Sequence, residues 1–406
     1  MHGAGSAGTA AVGGAGGGSA GQSAAGSAGT TVSAGSGGEA GTPATGGAGA
    51  GGTGAGGGPS GATYSKVLTL DTTATGANVP SDVANYPLAV LLDATSFDFT
   101  LALPTGQDLR FFDATGAPLL HAIELWDAGA QRAAIWVQLP LVEGNDNTQS
   151  ITMRWGDAGA QDASDSKGLF NQVDGYLAVF HLDQDAGSEP LGFKDSSWNE
   201  LHGTGQNMET GSLSDGRIGK ATHFSNPNGG AGNARWIRVD GEKVTSGFNP
   251  SDAQAISASV WTAPASFNGY YETLISKGDR AWTLQNDWDN RIETCMRVDG
   301  YHSCVLDKAA PVDTWVHYLV TVEMTKLTLY INGQKIGEAG GTNVLGDHAF
   351  GIANQSQYPG DERGWDGVID EVRVMTGVRS ADWAKLDYES QRADQTLVSY
   401  GPTQSP

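Results

Sequence analysis

The chain has 406 residues, with 45 acidic against 23 basic side chains and a net charge of −22 at pH 7. A surface of that sign repels phosphate backbones and anionic headgroups, which excludes a nucleic-acid-binding class. No apolar run approaches the ~18 residues that a bilayer-spanning helix needs.

Residues 1–62 are nearly all Gly, Ala, Ser and Thr, with Glu39 the only acid and no Lys, Arg, Phe, Tyr or Trp. All 11 Trp, 11 Tyr and 11 Phe come later, starting at Tyr64. Without aromatic side chains to bury, this segment cannot offset the entropy of ordering its backbone, and it is expected to be a disordered tether. Its root-mean-square span is on the order of 45 Å, from ~5–6 Å × √n. No apolar signal region follows Met1, so the readings are a cytoplasmic protein, or an exported one or a lipoprotein whose signal lies upstream.

Residues 63–160 alternate with period two. Leu109-Arg-Phe-Phe112, a Thr115-Gly116 turn and Leu119 to Trp126 predict a hairpin. The runs 134–139 and 151–155 place Ile135, Val137 and Leu139 on one face, and Ile151, Met153 and Trp155 likewise. An antiparallel β-sandwich is expected, followed by a short acidic connector over 161–172.

From 173 to 401 the strands continue. An opening strand, Gly175 to Leu182, leads to the turn Asp195-Ser-Ser-Trp-Asn199. Strands follow at 219–224, 236–239, 256–261 and 314–322, then a hairpin over 327–336 turning at Asn332-Gly333. Trp365 to Val374 reads as a last strand, and Ser380-Ala-Asp-Trp-Ala-Lys-Leu386 as a helix capped by Ser380. The only cysteines, Cys295 and Cys304, flank Asp299-Gly300. A type I′ turn there, with positive φ at both positions, pairs Val298 with Tyr301 and Cys295 with Cys304. Counted outward, the cysteines form a non-hydrogen-bonded pair with Cα atoms ~4.5 Å apart, within disulfide range. A disulfide implies an oxidising compartment and hence export; two reduced strand cysteines are the alternative.

The order of these landmarks resembles the laminin-G-like, concanavalin A-type jelly roll. The earlier segment, with Asp108-Leu-Arg-Phe-Phe-Asp113, Ala134-Ile-Trp-Val137 and Met153-Arg-Trp-Gly156, resembles the bacterial domain of unknown function 2341, which often precedes such a jelly roll. The fold class expected is therefore all-β: a disordered leader, an antiparallel sandwich at 63–160 and a jelly roll at 173–401.

Catalytic signatures are absent from the sequence. Glycosidases of the concanavalin-like fold carry Glu-x-Asp-x-x-Glu on one strand, where alternation converges the carboxylates. The nearest imitations are Asp183 and Asp185 with Glu189, in a loop, and Asp370-Glu371, an adjacent pair expected to face opposite ways. His317 reads as a satisfied core or edge histidine. The family resemblance implies a structural Ca²⁺, for which Asp195, Asn199, Asp366, Asp370 and Glu371 are the candidate ligands, with ordinary turn capping as the alternative. Glycan contact requires exposed aromatics beside polar groups; Asp287, Trp288 and Asp289 are candidates, with Tyr301 and Tyr358, and with Tyr270 and Tyr271.

The function expected is non-catalytic recognition of a glycan or extracellular protein by an exported, cell-surface or extracellular protein. A self-assembling envelope protein is one alternative. A divergent glycoside hydrolase or lyase is the other, and it requires two carboxylates ~5–9.5 Å apart in a cleft.

Overall fold

The computed structural model describes residues 61–405, apart from 186–191, 231, 269 and 280. The expected disordered leader and Glu189 thus lie outside the described residues, save Gly61 and Ala62. Among the described residues strand accounts for 43% and helix for 8%, so the period-two alternation does mark an all-β protein.

The first sandwich pairs a five-stranded and a three-stranded antiparallel sheet. In the larger, Tyr64–Leu70 lies beside Ser150–Trp155, which pairs with Arg110–Phe112 and through it with Pro118–Leu119. In the smaller, Arg132–Val142 is central, between Val83–Asp93 and His121–Asp127. Leu68, Leu70, Ile151 and Met153 from one sheet and Val90, Ile135 and Val137 from the other share one core. The hairpin expected over 109–126 is only half formed. Pro118 and Leu119 pair back, but from His121 onward the chain joins the other sheet, alongside Arg132–Val142. At the opposite edge of the large sheet the strand Val398–Tyr400 pairs with Tyr64–Leu70. The jelly roll expected over 173–401 therefore gives up its last strand to the first sandwich.

The jelly roll is built from an eight-stranded and a seven-stranded sheet. Ile256–Pro264 lies between Val316–Val322 and Gly367–Thr376 at the centre of the first. Ile256, Ala258 and Val260 point inward with Val320, Leu329, Val372 and Val374, and they meet Ile237, Leu274, Trp282, Met296 and Phe350 of the second sheet. Alternation alone leaves Ser257, Ser259 and Trp261 facing out, yet all three are buried. The outer face is covered twice. The helix Ala381–Gln391 lies on it, with Trp261 Nε1 donating to Gln391 Oε1 at 2.8 Å. The first sandwich covers the rest, since Val179, Leu319 and Met375 belong to its core and not to the jelly-roll core. Ser380 caps the helix as expected, its hydroxyl accepting from Trp383 N at 3.0 Å.

Two turns and a bulge fix local geometry. Asn332 and Gly333 both have positive φ (48° and 72°), as the two-residue turn requires. At Asp299-Gly300 only Gly300 does (79°), yet the register is the expected one: Val298 opposes Tyr301 and Cys295 opposes Cys304. The cysteines are bonded, with Cα atoms 4.2 Å apart and nine residues of separation. Closing a loop of that size is worth about 2–3 kcal/mol by loop entropy. A double Cys→Ala variant is expected to lose that much in urea melts, and thiol titration of denatured, unreduced protein is expected to find no free thiol. In the strand Gly367–Thr376 the register slips opposite Val260, and Glu371 has φ 51°. Ile369 and Val372 both stay in the core, so the extra residue turns Asp370 and Glu371 alike to the outer face. The expectation that they face opposite ways fails because of this bulge.

Candidate functional site

On the face of the seven-stranded sheet away from the core, alternation leaves polar residues where Leu284, Ile292 and Met296 point inward. Gln285 from Trp282–Asn286, Glu293 and Cys295 from Arg291–Val298, and His302 and Cys304 from Tyr301–Ala309 form the floor of a pocket of about 220 Å³. Tyr271, Asp279 and Arg363 wall it from the loops. Glu293 accepts from Gln285 Nε2 at 2.8 Å, and burial raises its carboxyl above the ordinary range. Burial works to raise Asp279 as well, but His302 and Arg363 overcome it and hold that carboxyl below the usual range. His302 is raised in turn, by Asp279 first of all.

An aromatic cluster stands at the rim. Trp288 is 60% exposed at the tip between two sheet strands. It meets Tyr270 and Tyr271 edge-on, with ring centroids 4.9 and 5.2 Å away. The Arg363 guanidinium lies 5.8, 5.6 and 5.4 Å from the rings of Tyr270, Tyr271 and Tyr358, tying the aromatics to the pocket. A larger hollow, about 550 Å³ around Thr245, Asn249, Leu345 and His348, has no aromatic wall.

Residues 237–385 match the family model for the concanavalin A-like lectin/glucanases superfamily, and residues 105–184 match the domain of unknown function 2341. The chain carries a concanavalin A-like domain behind a domain of unknown function 2341. The pocket and its aromatic rim are built within or beside the span matched as concanavalin A-like. No curated protein matches the chain. Among solved structures, the binding domain of Paraclostridial mosquitocidal protein 1 is similar over 53% of this chain and 52% of that one, at TM-score 0.41 and 17% identity. Domain 4 of AbnA, a GH43 extracellular arabinanase from Geobacillus stearothermophilus, in complex with arabinotriose, is similar over 52% of this chain and 97% of that one, at TM-score 0.39 and 18% identity. The binding domain of botulinum neurotoxin DC, in complex with SialylT, covers 54% and 52% at TM-score 0.38 and 11% identity. The chain thus spans about half the length of the first and third of these chains. At such identities no ligand is carried across from them.

Of the residues singled out for ligand contact, the concanavalin A-like domain gathers Tyr270, Tyr271 and Tyr358 around Arg363, with Trp288 packed on the first two. Asp287 is buried and holds the tip together: its carboxylate accepts from the amides of Asp289 and Arg291 and from the Arg291 guanidinium. Asp289 pairs with Arg291 at 3.2 Å. Tyr301 is 57% exposed at the next hairpin turn and does not line the pocket. Arg363, Asp279, Gln285, Glu293 and His302 were not singled out from the sequence. Strand alternation carries a signal for Gln285 and Glu293, whereas the loop residues Asp279 and Arg363 carry none.

The five candidate calcium ligands are each engaged locally. Asp195 accepts from the amides of Val179, Ser197 and Leu201, each at 2.8 Å. Asn199 donates to Leu177 O and accepts from Lys243. Asp366 accepts from Asn226 N and Ser266 Oγ, and Asp370 from Ile218 N. Glu371 binds Arg373 and approaches His181. These contacts are those of turn capping and ion pairing, and among the described residues no three of these carboxylates bring ligand atoms within 4.8 Å of one another. His317 is buried with Nε2 3.0 Å from Asp387 Oδ2, as a core histidine.

A second network holds the rim. Glu272 Oε2 accepts from Asn268 N at 3.0 Å and Asn286 Nδ2 at 2.6 Å, joining the Tyr270–Tyr271 loop to the strand that ends at Trp288's turn. Burial raises the Glu272 carboxyl to about 7. The folded state thus favours the protonated form, so this contribution is complete below pH ~4.5 and is lost as pH rises through about 7. Urea unfolding at pH 5 and pH 8 is expected to show Glu272→Gln gaining about 1–3 kcal/mol relative to wild type at the higher pH. Equal differences at both pH values would refute this.

Proposed function

We propose that the chain is a non-catalytic carbohydrate-binding module of an exported protein. Its ligand rests on Trp288 and the Tyr270–Tyr271 pair and reaches Gln285, Asp279, His302 and Arg363. The observation that carries the reading is a largely exposed indole, braced edge-on by two tyrosines, at the mouth of a small polar pocket. Sugar rings present axial C–H faces to aromatic planes and hydroxyls to amides and carboxylates, and the site offers both. The Cys295–Cys304 bond supports an oxidising compartment. A glycan array with and without Ca²⁺ tests the reading. Specific signal that disappears in a Trp288→Ala variant supports it, while stable self-association with no glycan signal would favour an assembly protein.

Two carboxyls in the pocket support a second reading, a glycoside hydrolase. Glu293 is shifted toward its protonated form and Asp279 toward its ionised form, the division of labour of an acid and a nucleophile or base. Release of reducing sugar that stops in Glu293→Gln, with binding retained, would establish it. Binding without turnover favours the module.

A further inference from the structure

A separate constellation lies where the first sandwich meets the outer face of the eight-stranded sheet. Glu124 comes from the strand His121–Asp127, His181 follows directly on Tyr176–Phe180, and Glu371 sits in the bulge of Gly367–Thr376. His181 Nδ1 is 2.6 Å from Glu371 Oε1 and 3.3 Å from Glu124 Oε2. One ligand-type atom from each residue falls within 4.8 Å of the others. Their side chains are only 7%, 1% and 1% exposed for His181, Glu124 and Glu371. Among the described residues, the one other group with such spacing is Glu293 with Cys295 and Cys304, whose sulfurs are bonded to each other.

The three groups are held from behind. Trp136 Nε1 donates to Glu124 Oε2 at 2.7 Å, and its ring stacks on His181 with centroids 6.2 Å apart. Arg373 donates to Glu371 Oε2 at 2.6 Å, leaving Oε1 for His181. Such outer partners orient ligands in metal sites. Hydrogen bonds within the cluster do not complete it. Glu124 Oε1, Asp183 Oδ1 and Asp370 Oδ1 are buried without any partner, and a cavity of about 280 Å³ opens on Glu124, His181 and Asp183. Glu124, Asp183, Asp370 and Glu371 gather near His181, with Arg373 bonded to Glu371 and Lys194 on the cavity lining, and the carboxylate oxygens that still lack a partner are costly in a low-dielectric interior. A bound cation with room for oxygen ligands would satisfy them.

We propose that Glu124, His181 and Glu371 bind one divalent transition-metal ion of the Zn²⁺ or Mn²⁺ class, which clamps the first sandwich to the jelly roll. A ring nitrogen with two carboxylates suits such ions, whereas Ca²⁺ takes oxygen ligands throughout. Ligand atoms ~2.0–2.2 Å from a tetrahedral ion stand roughly 3.3–3.6 Å apart, so the 3.3 Å pair already fits and the 2.6 Å pair opens slightly. The backbone strain of a glutamate at φ 51° is then explained as the cost of aiming Oε1 at this point.

The test uses the full chain, stripped with EDTA and titrated calorimetrically with ZnCl₂, MnCl₂ and CaCl₂ in separate runs, with metal content read by mass spectrometry after gel filtration. One Zn²⁺ or Mn²⁺ per chain is expected, with a rise in melting temperature on loading and no matching Ca²⁺ uptake. Glu124→Gln and His181→Gln are expected to weaken binding at least 100-fold and to abolish the melting shift. His223→Gln, on an exposed strand position, is expected to bind as wild type. Circular dichroism confirms that each variant is folded, and isosteric Glu124→Gln carries the decision if His181→Gln is not. No stoichiometric uptake, undiminished uptake by Glu124→Gln, or preference for Ca²⁺ overturns the proposal. Glycan binding is read separately, because the aromatic rim shares no residue with this cluster.

Discussion

Replacing Arg373 with alanine is expected to lower stability by roughly 3–5 kcal/mol, the scale on which removing one partner strands buried charge. Arg373 is fully buried, and it donates to Glu371 Oε2 at 2.6 Å and to Asp387 Oδ1 at 3.1 Å. Its guanidinium lies 4.2 Å from the Trp136 ring centroid, so one side chain joins the closing strand, the closing helix and the first sandwich. Burial alone would raise the Glu371 carboxyl, but His181 and Arg373 overcome it and hold it at about 2. Without Arg373, the two carboxylates remain in the interior with no guanidinium, each beside a histidine, His181 for Glu371 and His317 for Asp387. Lysine is a poor substitute, because a single ammonium cannot reproduce the fork that reaches both acids. Urea melts of EDTA-treated protein measure the loss. Neutralising the group together, as Arg373→Met with Glu371→Gln and Asp387→Asn, is expected to recover most of it, since the penalty comes from unpaired charge. A cost below about 1 kcal/mol for Arg373→Ala would contradict this account.

Trp288→Ala is expected to weaken glycan binding about 30-fold, or roughly 2 kcal/mol, a value in the range for an aromatic anchor. The same change is expected to move stability by less than about 1 kcal/mol, because an indole 60% exposed leaves little buried surface to lose. Trp288→Phe keeps a flat apolar face and is expected to fall between. Tyr301→Ala is the control: this ring is equally exposed but stands away from the pocket, and its loss is expected to leave affinity unchanged. Calorimetry with whichever glycan gives the array signal decides the matter. Equal losses in the Trp288 and Tyr301 variants would mean that binding occurs elsewhere.

The readable parts of this chain are those whose physics is local. The pairing of Cys295 with Cys304 follows from a two-residue turn and the alternation of pair types, so it survives even though Asp299 does not adopt the positive φ assumed for it. The Ser380 cap and the strand before it are likewise set by neighbours a few residues away. Trp288 was legible as an aromatic at a hairpin tip. The loop residues Asp279 and Arg363 were not, because they reach the pocket from chain segments with no periodic pattern.

Turn chemistry and period-two alternation, written into stretches of about ten residues, determined by themselves that the chain is a succession of antiparallel strands with a closing helix. Only the tertiary structure decided what lies against each strand's second face. Trp136 and Arg373 are buried because another body covers them and Trp261 because the closing helix does, and Val398–Tyr400 belongs to the first sandwich because its partner lies some 330 residues earlier, as in the pairing of Thr69 with Ser399. A single-residue bulge likewise turned Glu371 toward Glu124 and His181. Contacts of this kind depend on where distant surfaces meet, and no short run of residues encodes that.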